Sequence, residues 1–116
     1  MRTTGRQGAT YASARRYPDD HSESITLLAE RNAVRIGERE VVLTRTQYRL
    51  LAALAKEPGR TFSRAELVEG GIGDLVSERT VDVHVKEIRR KLGEDGWRIE
   101  TVRGKGYRYR PQRPGG

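Results

Sequence analysis

Apolar and polar positions change their spacing twice along the chain. From Ile25 the apolar residues come in short alternating runs, Ile25 and Leu27, Val34 and Ile36, Val41 and Leu43, broken at Asn32 and Gly37. That period of two predicts three short strands of a small antiparallel sheet. From Thr44 the spacing becomes helical. Thr44-Arg45-Thr46-Gln47 has the form of a capping box, in which the hydroxyl accepts from the Gln47 amide and the Gln47 side chain reaches back. Tyr48, Leu51, Leu54 and Ala55 carry that helix toward Pro58-Gly59. Ser63-Arg64-Ala65-Glu66 repeats the signature before Leu67 and Val68, and Gly70-Gly71 stops a second, shorter helix, with a loop from Gly70 to about Ser77.

The third helix is predicted from Glu78 to Leu92. Val81, Val85, Ile88 and Leu92 recur at helical spacing and form one stripe, while Arg79, Val83, Lys86, Glu87 and Arg90 point elsewhere. Gly93 suits a left-handed residue after the helix, and Lys91 lies near the negative end of its dipole. Beyond the polar turn Glu94-Asp95-Gly96, Trp97 to Val102 and Tyr107 to Arg110 have strand character, joined by Arg103-Gly104-Lys105-Gly106. A small N-terminal antiparallel sheet, three helices and a C-terminal β-hairpin wing make an α+β winged helix-turn-helix, here expected over residues 25–111. Residues 1–24 are rich in Arg, Thr, Ser, Gly and Asp without sustained periodicity, so they are expected to be a disordered arm or linker, and 112–116 a flexible tail.

Charge sharpens this picture by where it falls. The chain carries a net charge of +7, and +5 of it lies in residues 77–116, where the third helix and the hairpin are. An anionic partner for that region is expected, nucleic acid first. There are no cysteines, and His21 and His84 are far apart in sequence with no obvious ligand cluster around either, so neither a disulfide nor a metal site nor any other cofactor is expected. No apolar run approaches the ~20 residues of a membrane span and the first twenty residues lack a signal-like stretch, which points away from membranes and to the cytoplasm. Gly104-Lys105-Gly106 joins two strands rather than opening a helix and lacks the spacing of a phosphate loop. Asp82 and His84, two apart on a helix, do not face each other, and no constellation for an enzyme is left.

Three separated motifs, Leu43-Thr44, Arg79-Thr80-Val81-Asp82-Val83-His84-Val85 and Thr101-Val102-Arg103-Gly104-Lys105-Gly106-Tyr107, closely resemble the OmpR/PhoB-type winged-helix effector domain of bacterial response regulators, over about Ile25 to Arg110. The resemblance implies a transcription regulator that binds double-stranded DNA, with its third helix in the major groove and its wing, residues 103–106, in the adjacent minor groove. By position it implies phosphate contacts for Arg79, Thr80, His84, Lys86 and Arg89, and base edges for Asp82, Val83 and Glu87. Arg90 shares the solvent face of the helix. Arg103 resembles the wing arginine that enters the minor groove, Lys105 follows it in the turn, and Thr101 and Tyr107 match wing positions near the backbone. Arg89 has an alternative partner in Glu66 or another acid on a neighbouring element.

Relatives of this kind bind direct-repeat half-sites in tandem, so a free monomer and a pair of copies on DNA are expected, in the cytoplasm at the nucleoid. The chain departs from the family pattern at three points. Glu87 stands where relatives often carry arginine, which implies a different target sequence. Ile72-Gly73 stands in the loop where relatives often have Trp-Gly and contact RNA polymerase. The residues before Ile25 are too few for a phospho-accepting receiver domain. Two rival readings follow from the same features: a protein-interaction module directed at RNA polymerase or another regulator, and nonspecific DNA binding with a steep salt dependence.

Overall fold

The computed structural model describes residues 24–69 and 77–112. The arm, most of the loop between the second and third helices, and the end of the tail lie outside the described residues.

The alternating runs form strands β1 (Ile25–Leu28), β2 (Ala33–Ile36) and β3 (Arg39–Val42), an antiparallel sheet with β2 in the centre. Val34 and Ile36 of β2 and Val41 of β3 enter the core, and Leu43 follows just past the strand. Helix α1 spans Arg45–Ala55, and both hydrogen bonds of its capping box are present, Gln47 N to Thr44 Oγ1 at 3.1 Å and Thr44 N to Gln47 Oε1 at 3.0 Å. The helix ends earlier than Pro58-Gly59. Glu57 precedes a proline and is disfavoured in helical conformation, so the last turn opens at Lys56.

After α1, Thr61–Phe62 form the short strand β4, which carries too few residues for any alternation to show. Helix α2 (Arg64–Leu67) has the second capping box, with Ser63 N to Glu66 Oε1 at 2.8 Å and Glu66 N to Ser63 Oγ at 3.1 Å. Each such cap contributes about 1 kcal/mol. Helix α3 runs Glu78–Leu92, the predicted span. Its stripe of Val81, Val85, Ile88 and Leu92 is at most 1% exposed and packs on α1 and α2.

Two expectations after α3 are corrected. Gly93 has the positive φ of 60°, but its ψ of −122° is not that of a left-handed cap, and Gly93–Arg98 continue as a 3₁₀ turn. Trp97 and Arg98 are therefore outside the strand, because Arg98 turns into the interior instead of alternating across a sheet. Its guanidinium is 1% exposed, donates to Asp95 Oδ1 at 3.2 Å and to the Tyr109 hydroxyl at 3.0 Å, and lies 4.7 Å over the Trp97 ring. Asp95 also accepts from Arg39 at 2.6 Å, which joins the 3₁₀ turn to β3.

The wing strands are β5 (Ile99–Val102) and β6 (Gly106–Tyr109). Their sheet has a third member, in the order β4-β6-β5, with Phe62 opposite Tyr107 and Thr101 opposite Tyr107 on the other side. Gly106 makes this possible. Its φ is 144°, and a Cβ there would collide with the Phe62 carbonyl oxygen.

These features set three expected outcomes. Gly106→Ala combines a backbone clash with an unfavourable φ and should cost about 2–4 kcal/mol, read as a lower urea midpoint at unchanged slope. Asp95→Ala leaves Arg98 buried without its carboxylate and should cost about 3 kcal/mol in the same experiment. Glu40, Glu66 and Glu100 are held below the usual carboxylate range, by a hydrogen bond from Arg31, by the Ser63 amide and by a hydrogen bond from Arg108 respectively. A depressed folded value means stability that is present above the unfolded value and lost as pH falls. The thermal midpoint should therefore stay level down to about pH 5 and drop below about pH 4, measured by circular dichroism.

Candidate nucleic-acid interface

Burying one stripe of α3 commits the opposite stripe to solvent. Arg79, Asp82, Val83, Lys86 and Arg90 are exposed, and Thr80, His84, Glu87 and Arg89 are half-buried. Val83 is 64% exposed, a large apolar side chain among charges with nothing packed on it. At the wing tip Arg103 and Lys105 are exposed on either side of Gly104, in a turn closed by the Lys105 amide on the Val102 carbonyl at 2.9 Å. Thr101 is also exposed, whereas Tyr107 is buried.

The wing lies along α3 and is fastened to it at two places. Arg89 donates to the Ile99 carbonyl at 3.1 and 2.8 Å and to Thr101 Oγ1 at 2.8 Å, so its partner is the wing and not Glu66, which pairs with Arg60. Nearer the start of the helix, the Tyr107 hydroxyl donates a short hydrogen bond to Asp82 Oδ1. Arg64, at the start of α2, donates to the same oxygen at 2.8 Å and stacks 5.4 Å over the Tyr107 ring. Arg64 belongs to this cluster although nothing in its local sequence marks it beyond its place after a helix cap. Burial and then the bond to Asp82 push the Tyr107 hydroxyl up, while the bonds from Tyr107 and Arg64 hold the Asp82 carboxyl down. Near neutral pH, Tyr107 is thus the donor and Asp82 a carboxylate.

The remaining expected residues divide by what already holds them. Thr80 donates to the Ser77 carbonyl at 2.9 Å and accepts from its amide at 3.0 Å, closing the start of α3. Glu87 is ion-paired with Arg90 one turn on, and the hydrogen bond from Arg90 lowers its carboxyl. Arg79, Lys86, Arg103 and Lys105 make no ion pair among the described residues. The surface therefore offers unpaired cations at both ends of a polar strip with an apolar side chain in its middle. Among the described residues no group of three or more acids and histidines is placed to hold a metal ion, and no helix is long and apolar enough to cross a membrane.

Known proteins are similar to this chain in sequence and fold. The chain is 46% identical over 87 residues to the phosphate regulon transcriptional regulatory protein PhoB of Rhizobium meliloti (strain 1021), covering 72% of this chain and 38% of that protein. It is 46% identical over 82 residues to the transcriptional regulatory protein CseB of Streptomyces coelicolor, covering 66% and 33%. The chain thus spans little more than a third of the length of these relatives. Among solved structures it is similar to the DNA-binding domain of the response regulator AdeR in complex with an intercistronic region, with a TM-score of 0.66 and 33% identity over 76% of this chain and 95% of that one. It is similar as well to the Klebsiella pneumoniae RstA DNA-binding domain in complex with the RstA box, with a TM-score of 0.64 and 32% identity over 77% and 93%. Residues 38–109, from the β2–β3 turn to the last residue of the wing, match the family described as transcriptional regulatory protein, C terminal. The chain belongs to that family, the OmpR/PhoB-type winged-helix effector domains of response regulators.

Proposed function

We propose that this chain is a sequence-specific, double-stranded-DNA-binding domain of a bacterial transcription regulator, with α3 in the major groove and the turn 103–106 in the adjacent minor groove. The observation that carries this reading is the exposed strip on α3, where an unpacked Val83 is flanked by cations free of ion pairs. A thymine methyl is the apolar surface that a valine meets in a major groove, and phosphates flank it at the distance of long basic side chains. The relatives solved with an intercistronic region and with the RstA box support it.

In this reading Arg79, Thr80, His84 and Lys86 contact phosphates, Val83 and Glu87 meet base edges, and Arg103 enters the minor groove with Lys105 beside it. Arg90 joins the phosphate contacts when Glu87 turns to a base. Arg89 and Thr101 hold the wing against the helix. The function is binding and not turnover, carried out in the cytoplasm at the nucleoid. A single module of this size buries roughly 600–1,000 Å² on DNA, which gives weak binding to one half-site. Two copies on a direct repeat supply the rest, and the free chain, with its charge of +7, is a monomer.

Selection from a random duplex library should recover a defined direct-repeat motif. Glu87→Arg should alter base preference at one position of the half-site, from a pair that presents a donor toward guanine. Lys86→Ala should weaken all sequences alike and lower the slope of log K against log salt by about 1. Recovery of no motif, with binding that simply fades as salt rises, would leave only nonspecific attraction.

A further inference from the structure

Asp82 sits on the exposed side of α3, where a carboxylate invites a role in reading a base. Its surroundings point elsewhere. Both donors it meets converge on one oxygen, Oδ1, and they come from the elements on either side of the helix, Arg64 from α2 and Tyr107 from β6. Tyr107 is 4% exposed and cannot follow Asp82 outward, because it is paired with Phe62 on one edge and Thr101 on the other. Withdrawing Oδ1 would leave a nearly buried hydroxyl without its acceptor and break a charge-assisted bond, so the side chain is held in place against the wing.

The second anchor shows what the first is for. Arg89 grips Ile99 and Thr101 seven residues further along α3, about two helical turns from Asp82. Thr101 and Tyr107 are directly opposed across β5 and β6, so the two anchors hold one rung of the wing from two points on the helix. Pairing with β4 ties β6 to the body, and the two side-chain anchors fix that rung against the helix at two points. Arg103 lies two residues beyond that rung.

We propose that Asp82 is a positioning residue that sets the angle of the wing against α3 by holding Tyr107 and Arg64 through Oδ1. This rests on the reading of α3 and Arg103 as DNA-contacting, and it adds a residue whose effect on binding is exerted at the far side of the hairpin.

The test is a set of double-mutant cycles on the selected DNA site, pairing Asp82→Ala and Tyr107→Phe each with Arg103→Ala, at a temperature well below every variant's melting midpoint. Tyr107→Phe keeps the ring and its packing and serves where Asp82→Ala disturbs the fold. Either single change should weaken binding to the selected site by roughly tenfold. The penalty of Arg103→Ala should shrink in both backgrounds. Asp82→Ala combined with Tyr107→Phe should be no worse than either alone. A purely structural role would lower the melting midpoint without moving the Arg103 penalty, and that result overturns the proposal. A loss of binding in Asp82→Ala that Tyr107→Phe does not share also overturns it, by placing the effect at Asp82 itself and not at the wing. If the unmodified protein selects no motif, or Arg103→Ala costs nothing, the reading of function fails first and this proposal with it.

Discussion

Everything on the exposed strip of α3 depends on how that helix is seated. Val81, Val85, Ile88 and Leu92 are fully buried, each contributing about 1.5–3 kcal/mol relative to exposure. A rotation of the helix by one residue would swing that stripe out and draw charged neighbours in, so its azimuth is fixed by the same burial that holds the fold together. The strip of Arg79, Val83, Lys86, Glu87 and Arg90 is exposed because the core has claimed the other side. The exposed strip and the core stripe are opposite sides of one helix, and residues such as Val83 and Lys86 on the strip can be exchanged without loosening the core.

Signals that act within a few residues were legible in the sequence. Both capping boxes, the span of α3, the three strands of the first sheet and the apolar stripe all arise from neighbours in the chain, and the structure has them. What could not be read there is non-local. Thr61–Phe62 become a strand only because Tyr107 arrives beside them. Arg98 is an arginine next to a tryptophan, a type almost always exposed, and its burial depends on Asp95 and on Tyr109 of the wing. The Arg64–Asp82–Tyr107 cluster joins three elements across 43 residues of sequence, and each member read alone has an ordinary surface explanation. The resemblance to a family supplied positions on α3 and the wing, but it did not supply which of those side chains are already engaged.

That engagement is unevenly distributed. Arg31, Arg39, Arg60, Arg64, Arg90, Arg98, Arg108 and Arg110 each have a carboxylate beside them. Among the described residues Arg79 and Lys86 on the helix and Arg103 and Lys105 on the wing do not, and neither do Arg35, Arg45, Arg49 and Lys56 elsewhere on the surface. Paired charges largely cancel at a distance, whereas unpaired ones project a field over about a Debye length of 8 Å at physiological salt. The fields of Arg79, Lys86, Arg103 and Lys105 add along the strip and the wing, and a polyanion approaching that side is attracted by them.

The close passage of Gly106 over the Phe62 carbonyl has a consequence for how such a domain can diversify. The hairpin is stitched to the body at its base and open at its tip, so the constraint on sequence changes abruptly between residues 106 and 105. Below that boundary a substitution is blocked, since any side chain in place of the glycine collides with backbone. Above it, the side chains of Arg103 and Lys105 are exposed. Point changes at the tip can alter the chemistry it presents while the scaffold that carries it stays the same.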